Sequence, residues 1–392
     1  MPKALKSVSK SLTGFFLVCV IFLFPIFYTS FQPIASTSTS VNKIEEEKTN
    51  FAELLYKDKI NRIDSFMSYN SITPNFQGNM LIAHKGNILY SNSNGYADPQ
   101  KKTQLDENSV FQLASVSKQF TAMAVMMLKE RGELSYSDTI NKYIADFPYE
   151  GITIRMLLNH TSGLPNYMWL LENHWNNNST PYNDDVLDLM AQHKLNLYFK
   201  PGTRFSYSNT GYIVLASIVE EVSGERFDKF LKENIFEPLE MNNSYVVSLL
   251  YNHKKDHLDG FYKWGKSYRK ISQNINDATV GDKGIYSTIN DLFKWDKALY
   301  ENKLITEETK QEAYKKVQLK NGNHYPYGFG FRIKEFNNKK VVYHYGKWNG
   351  FRTGIVRFVE DTSTIILLNH TNAPGATRIT ESIQDVLYLS EK

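Results

Sequence analysis

A chain of 392 residues, 42% hydrophobic and 22% charged, can bury one large core or two joined ones, and its composition excludes a disordered or fibrous protein. Its formal charge of +4 falls to about +1 once the three lysines among the first ten residues are set aside, so charge gives no case for a nucleic-acid partner. The single cysteine, Cys19, excludes internal disulfides and a thiolate metal site, and stability must come from packing.

Lys3, Lys6 and Lys10 precede the apolar run Phe15–Tyr28, and the small residues Ala35, Ser36, Thr37 and Ser38 follow it. A positive flank, an apolar core of roughly 7–15 residues and a small-residue exit describe a secretory signal peptide. A spanning helix needs about 20 apolar residues. The run reaches that length only by recruiting Leu12, Gly14 and Phe31 around polar Thr13, Thr29 and Ser30. Residues 1–36 are read as a signal peptide or an N-terminal membrane anchor through 12–31. Either places the rest outside the cytoplasm, as a periplasmic, extracellular or outward-facing anchored protein. Residues 37–50 are polar and low in complexity, as a linker would be.

The folded domain is expected over 51–392. Phe51, Leu54, Leu55, Ile60, Ile63, Phe66 and Met67 recur at spacings near three and four, which predicts an amphipathic helix. Asn79–His84 and Asn87–Tyr90 flank Lys85-Gly86 and predict a β-hairpin. A helical region, about 119–275, follows: the apolar run Phe120–Leu128 ends at Gly132, Thr210–Val222 stops at Ser223-Gly224, and Arg226–Ile235 precedes Pro238. Val341–Tyr345, Gly354–Val359 and Thr364–Asn369 predict three strands, and a helix over 376–389 closes the chain. Strands at both ends with helices between imply an α+β fold, an α/β sandwich in which an antiparallel sheet is flanked by helices.

Ser115-Val116-Ser117-Lys118 opens a helix apolar on nearly every side, which has to be buried. Ser115 then lies at a helix N-terminus, where free N–H groups and the dipole stabilise an oxyanion. Lys118, three residues on, shares its face and can reach the Ser115 hydroxyl. A lysine so buried needs a partner or a lowered pKa. Tyr207-Ser208-Asn209 lies in a short loop between Pro201-Gly202 and the next helix, where a phenol and an amide can face a lysine. His344-Tyr345-Gly346 ends a strand, the glycine permitting close backbone approach, with Lys347 next. His253 and His257, with Asp256 and Asp259, have ligand-like spacing, but their charged surroundings read as a solvated loop.

Together these residues resemble the penicillin-recognising serine hydrolases, in the branch that includes class C β-lactamases, D-alanyl-D-alanine peptidases and related esterases. Ser115 to Lys118 match its S-x-x-K motif, Tyr207 to Asn209 its Y-x-N motif and His344 to Gly346 its [KH]-x-G motif, in the family's order. The stretches 152–165 and 281–288 also look familial, as scaffold and site wall, with His160 a structural histidine. The resemblance implies a β-lactamase/transpeptidase-like fold and an acyl-enzyme on Ser115, with Lys118 and Tyr207 as coupled base and acid. Asn209, His344, Gly346 and Lys347 would bind substrate, the N–H groups of Ser115 and Lys347 forming the oxyanion hole. It implies no metal and no cofactor. The substrate it implies is a small molecule or cell-wall peptide, first of all a D-alanyl peptide. The alternatives are an esterase, a β-lactamase, or a slowly deacylating penicillin-binding scaffold or sensor.

His344 departs from the lysine of class C β-lactamases, which puts β-lactamase activity in doubt. An unperturbed histidine titrates near pH 6.5, so a substrate carboxylate held by His344 alone would bind more weakly as pH rises through roughly 6 to 7.5. Arg352, six residues beyond Gly346, would supply a permanent charge if it faced the cleft.

Overall fold

In the computed structural model, which describes residues 54, 56–67, 76–247, 257–265, 267–372 and 376–388, the two ends of the domain meet in one sheet. Gly78–His84 runs antiparallel to Ser363–Asn369, with Gly78 opposite Asn369 and Ala83 opposite Thr364. The six antiparallel strands follow the spatial order Arg332–Phe336, Lys339–Trp348, Phe351–Phe358, Ser363–Asn369, Gly78–His84, Asn87–Asn94. The hairpin turn is Lys85-Gly86, both at positive φ, as a two-residue connection between twisted strands requires.

Side chains alternate across a strand, so the inner strands feed two cores. Met80, Ile82, Val341, Val356, Phe358, Ile365 and Leu367 pack with Ile63 and Met67 of the helical segment 56–67 and with Ile379, Ile383 and Leu387 of helix Ala376–Leu387. Leu81, Ala83, Val342, Ile355, Ile366 and Leu368 face the opposite way, onto the larger core of the helical region. The architecture is thus three-layered: terminal helices, sheet, helical region. It is the expected α+β fold, with the strands lengthened at their ends.

Helix Ser117–Glu130 is buried from Ser117 to Leu128. Its polar residues each find a partner: Ser117 Oγ accepts from the Ile285 N–H (3.2 Å), Gln119 Oε1 from the Trp295 indole (3.1 Å), and Thr121 Oγ1 donates to the Gly281 carbonyl (2.7 Å). These bonds offset much of the cost of burying them and fix the helix's rotation, although Gln119 Nε2 has no partner among the described residues. Helices also occur at Ile154–Leu158, Tyr167–His174, Asn183–His193, Asn209–Ser223 and Phe227–Leu231. They continue past residue 275, as Ile289–Glu301 and Glu307–Ala313, until the sheet resumes at Arg332.

The proposed signal peptide or anchor (1–36) and the polar linker (37–50) lie outside the described residues, as do His253 and Asp256. Among the described residues no helix is long and apolar enough to cross a membrane, and no three metal-ligating side chains converge.

Candidate active site

Ser115 occupies a single 3-10 turn, Ala114–Val116, that runs directly into helix Ser117–Glu130. Between Val110 and Leu128 it alone is not buried. Ala114 before it has φ +50, a left-handed conformation that costs an L residue roughly 1–2 kcal/mol. The turn is tied down on both sides. Leu113 N–H donates to the Ile285 carbonyl (2.8 Å), and its carbonyl accepts from Thr353 Oγ1 (2.6 Å).

Lys118 is wholly buried, and its Nζ lies 3.2 Å from Ser115 Oγ, 2.8 Å from Asn209 Oδ1 and 2.7 Å from the Asp282 carbonyl. The last two atoms can only accept. A neutral amine has two N–H bonds and one lone pair; with both hydrogens committed there, the lone pair faces the Ser115 hydroxyl. Burial lowers the Lys118 pKa to about 8, the Asp282 carboxylate opposing the shift and the Arg332 guanidinium reinforcing it. At pH 7.5 roughly a quarter of such a group is neutral, against about a thousandth of an ordinary lysine.

Tyr207 precedes helix Asn209–Ser223, whose N-cap is Ser208, its Oγ accepting from the Gly211 N–H. That cap places Asn209 on the first helical turn and Tyr207 beside it. The Tyr207 ring centre is 5.0 Å from Lys118 Nζ. Burial raises its phenol pKa well above the usual value, offset in part by the Ser115 hydroxyl and Arg332. The hydroxyl lies near enough to Ser115 for that influence, yet among the described residues it has no partner in hydrogen-bonding geometry. His160 packs beneath it, ring centres 4.3 Å apart, and its Nδ1 accepts from the Ser208 N–H (3.1 Å). Burial holds His160 neutral, well below the ordinary histidine pKa, with Lys118, His344 and Arg332 acting the same way.

The third motif differs from the sequence expectation. The His344 side chain is 1% exposed. Its Nδ1 faces the Tyr345 carbonyl (2.9 Å), an obligate acceptor, so Nδ1 carries the proton and Nε2 accepts from the Tyr327 hydroxyl (3.1 Å). Burial depresses its pKa well below 6.5, and the Lys118 and Arg332 charges add to this. The pH response expected of an unperturbed His344 therefore gives way to that of a neutral imidazole hydrogen-bonded to Tyr327. Sequence could not foresee this, because the Tyr327 hydroxyl and the burial that hold residue 344 neutral come together only in the folded chain. Gly346 lies against the Ser115 turn: a Cβ there would stand 2.2 Å from Thr353 Oγ1, 2.3 Å from the Leu113 carbonyl and 3.1 Å from Ala114 Cβ. Lys347, beyond it, is exposed. Trp348 and Asn349 are held by Asp277 Oδ1, at 2.6 and 2.8 Å.

Sequence reasoning missed Arg332. It lies on the edge strand Arg332–Phe336, and its guanidinium is 5.3 Å from the Tyr207 ring centre and 5.8 Å from that of Tyr327. The single signal was a lone arginine between buried Phe331 and Ile333. Arg352, the cation considered instead, is half-buried and donates to its neighbour's carbonyl, Phe351 O (2.8 Å).

Residues 77–388 match the protein-family model described as Beta-lactamase. Penicillin-binding protein 4* of Bacillus subtilis is 38% identical over 312 residues, 75% of this chain and 68% of that protein. Among solved structures, a penicillin binding protein from Bacillus halodurans superposes with a TM-score of 0.69 at 25% identity, covering 81% of this chain and 99% of its own. EstCE1, a hydrolase with promiscuous acyltransferase activity, superposes at 0.72 over 86% of this chain and 100% of its own; at 20% identity that likeness speaks to the fold alone.

Proposed function

The chain belongs to the beta-lactamase family of serine hydrolases, and on that premise we propose that it cleaves amide or ester bonds through an acyl-enzyme on Ser115, with D-alanyl cell-wall peptides outside the cytoplasm as its substrate class. The observation that carries this is the environment of Lys118 Nζ, whose two obligate acceptors leave its lone pair for Ser115. Lys118 takes the serine proton as Oγ attacks the carbonyl carbon, and the N–H groups of Ser115 and Lys347 receive the developing oxyanion. Tyr207, kept protonated by burial, gives its proton to the leaving group and recovers one from the Lys118 ammonium. Water then attacks the acyl ester with Lys118 again as base, and the proton returns to Ser115 Oγ.

The D-alanyl class is supported by Arg332, a permanent cation beside Tyr207 that suits the free carboxylate of such a substrate. The apolar run Phe15–Tyr28 supports export. A neutral His344 favours a second reading, an esterase for uncharged substrates.

Intact mass after mixing the protein with a fluorophosphonate, a β-lactam and a D-alanyl ester tests the reading. The adduct should map to the peptide containing Ser115 and vanish in Ser115→Ala. Undiminished labelling of that variant would overturn the assignment. An adduct lost within minutes marks a turning-over enzyme, whereas one stable for hours marks a penicillin-binding scaffold.

A further inference from the structure

The turn Gly281-Asp282-Lys283-Gly284 lies across the helix that carries Lys118, and it uses two consecutive carbonyls to grip one helix face. Gly281 O accepts from Thr121 Oγ1 (2.7 Å) and Asp282 O accepts from Lys118 Nζ (2.7 Å), residues three apart on that face. The approach requires glycine at 281: φ is +104, and a Cβ would stand 2.3 Å from the Tyr212 carbonyl.

Behind this grip the turn buries a charge pair that the proposed reaction does not use. Asp282 and Lys283 are 1% and 2% exposed. Lys283 Nζ lies 2.6 Å from Tyr167 OH, 2.6 Å from Thr279 Oγ1 and 3.4 Å from Asp282 Oδ1, while Tyr167 OH lies 3.2 Å from Asp282 Oδ2. Lys283 Nζ also lies 5.0 Å from the Trp348 ring centre, beside Lys347. Tyr167 is fixed in turn by its N–H, which donates to Thr210 Oγ1 next to Asn209 (3.0 Å). One buried network thus touches all three motif-bearing segments. Two charges removed from water are costly unless paired, and removing one leaves the other uncompensated.

We propose that Asp282 and Lys283 are a positioning pair: their side chains fix the Asp282 carbonyl on Lys118, and their opposite charges together govern how readily the Lys118 ammonium gives up its proton. The proposal rests on the reading of Ser115 and Lys118 above. The groups facing Lys118 are Ser115, Asn209, Tyr207, Tyr212 and Asp282, with Arg332, His160 and His344 acting through space. Of these groups Asp282 supplies the negative charge, and Lys283 is its partner. Without Lys283 the bare carboxylate stabilises the ammonium and the acid limb of activity moves up in pH. Without the carboxylate the limb moves down.

The experiment is the pH dependence of fluorophosphonate labelling of Ser115 in the whole protein, with the adduct located by mass. Lys283→Met should move the acid limb up by roughly one pH unit and Asp282→Asn down by a similar amount. The double variant should return toward the wild-type limb. Circular dichroism checks the fold, and if Lys283→Met does not fold, the downward shift in Asp282→Asn still decides. Limbs that do not move, or move in the same direction while rates fall, would overturn the pair's role and leave packing. If the wild type is labelled elsewhere than Ser115, it is the underlying active-site reading that fails.

Discussion

The Arg332 guanidinium lies 5.3 Å from the centre of the Tyr207 ring, a fixed positive charge beside a buried phenol. A charge-assisted hydrogen bond is worth about 1.5–3 kcal/mol, so Arg332→Gln should raise KM for a D-alanyl-D-alanine substrate roughly 10- to 100-fold. Hydrolysis of a neutral ester, measured on the alkaline plateau, should change only severalfold. Equal losses on both substrates would deny Arg332 a role in carboxylate recognition.

Lys118→Met keeps the bulk of a buried side chain and removes the proposed base. Acylation should slow by about 10²–10⁴-fold. The acid limb, which Lys118 places near pH 8, should disappear with it. Thermal stability should hold or rise, because a wholly buried ammonium is no longer desolvated. A variant that keeps its labelling rate but melts earlier would make Lys118 a packing residue.

His344 is neutral and enclosed, so it cannot weaken carboxylate binding by losing a proton near neutrality. Binding of a D-alanyl-D-alanine peptide to Ser115→Ala, followed by calorimetry, should stay flat between pH 6 and 7.5. A Kd that climbs several-fold over that interval would restore the imidazolium.

The same burial makes stability pH-dependent. The folded pKa values of His160 and His344 lie below the unfolded value, so the unfolded chain binds protons first, and stability present above about pH 6.5 is lost as pH falls. Each such histidine contributes a slope of up to about 1.4 kcal/mol per pH unit. Urea unfolding between pH 5 and 6.5 should show a slope smaller by nearly one proton in His344→Gln, and an unchanged slope would contradict the assignment.

Gly346→Ala places a methyl group against the Leu113 carbonyl and Thr353 Oγ1, which already bond to each other. Overpacking of this kind costs about 1–3 kcal/mol, and here it pushes the strand off the Ser115 turn. Labelling of Ser115 should fall at least tenfold while the far-ultraviolet circular dichroism is unchanged. Retention of full labelling would show that the strand yields without disturbing Ser115.

Much of this was legible in the chain itself. Short unbroken apolar runs in Asn79–His84 and Thr364–Asn369, with Lys85-Gly86 between extended runs, determined the sheet and its assembly from both ends, because a strand buried on both faces reads as a continuous apolar run. The run Phe120–Leu128, apolar on nearly every side, determined a buried helix, and hence a lysine deprived of water. What the tertiary structure alone decided is which groups face that lysine. Asp282 reaches it by a backbone carbonyl, which carries no sequence signature, and Arg332 arrives on an edge strand too polar for periodicity to mark. His344 matched a motif, but its charge depends on Tyr327 and on complete burial, and the free energy of a charge is set by surroundings that residues far apart in the chain supply only once folded.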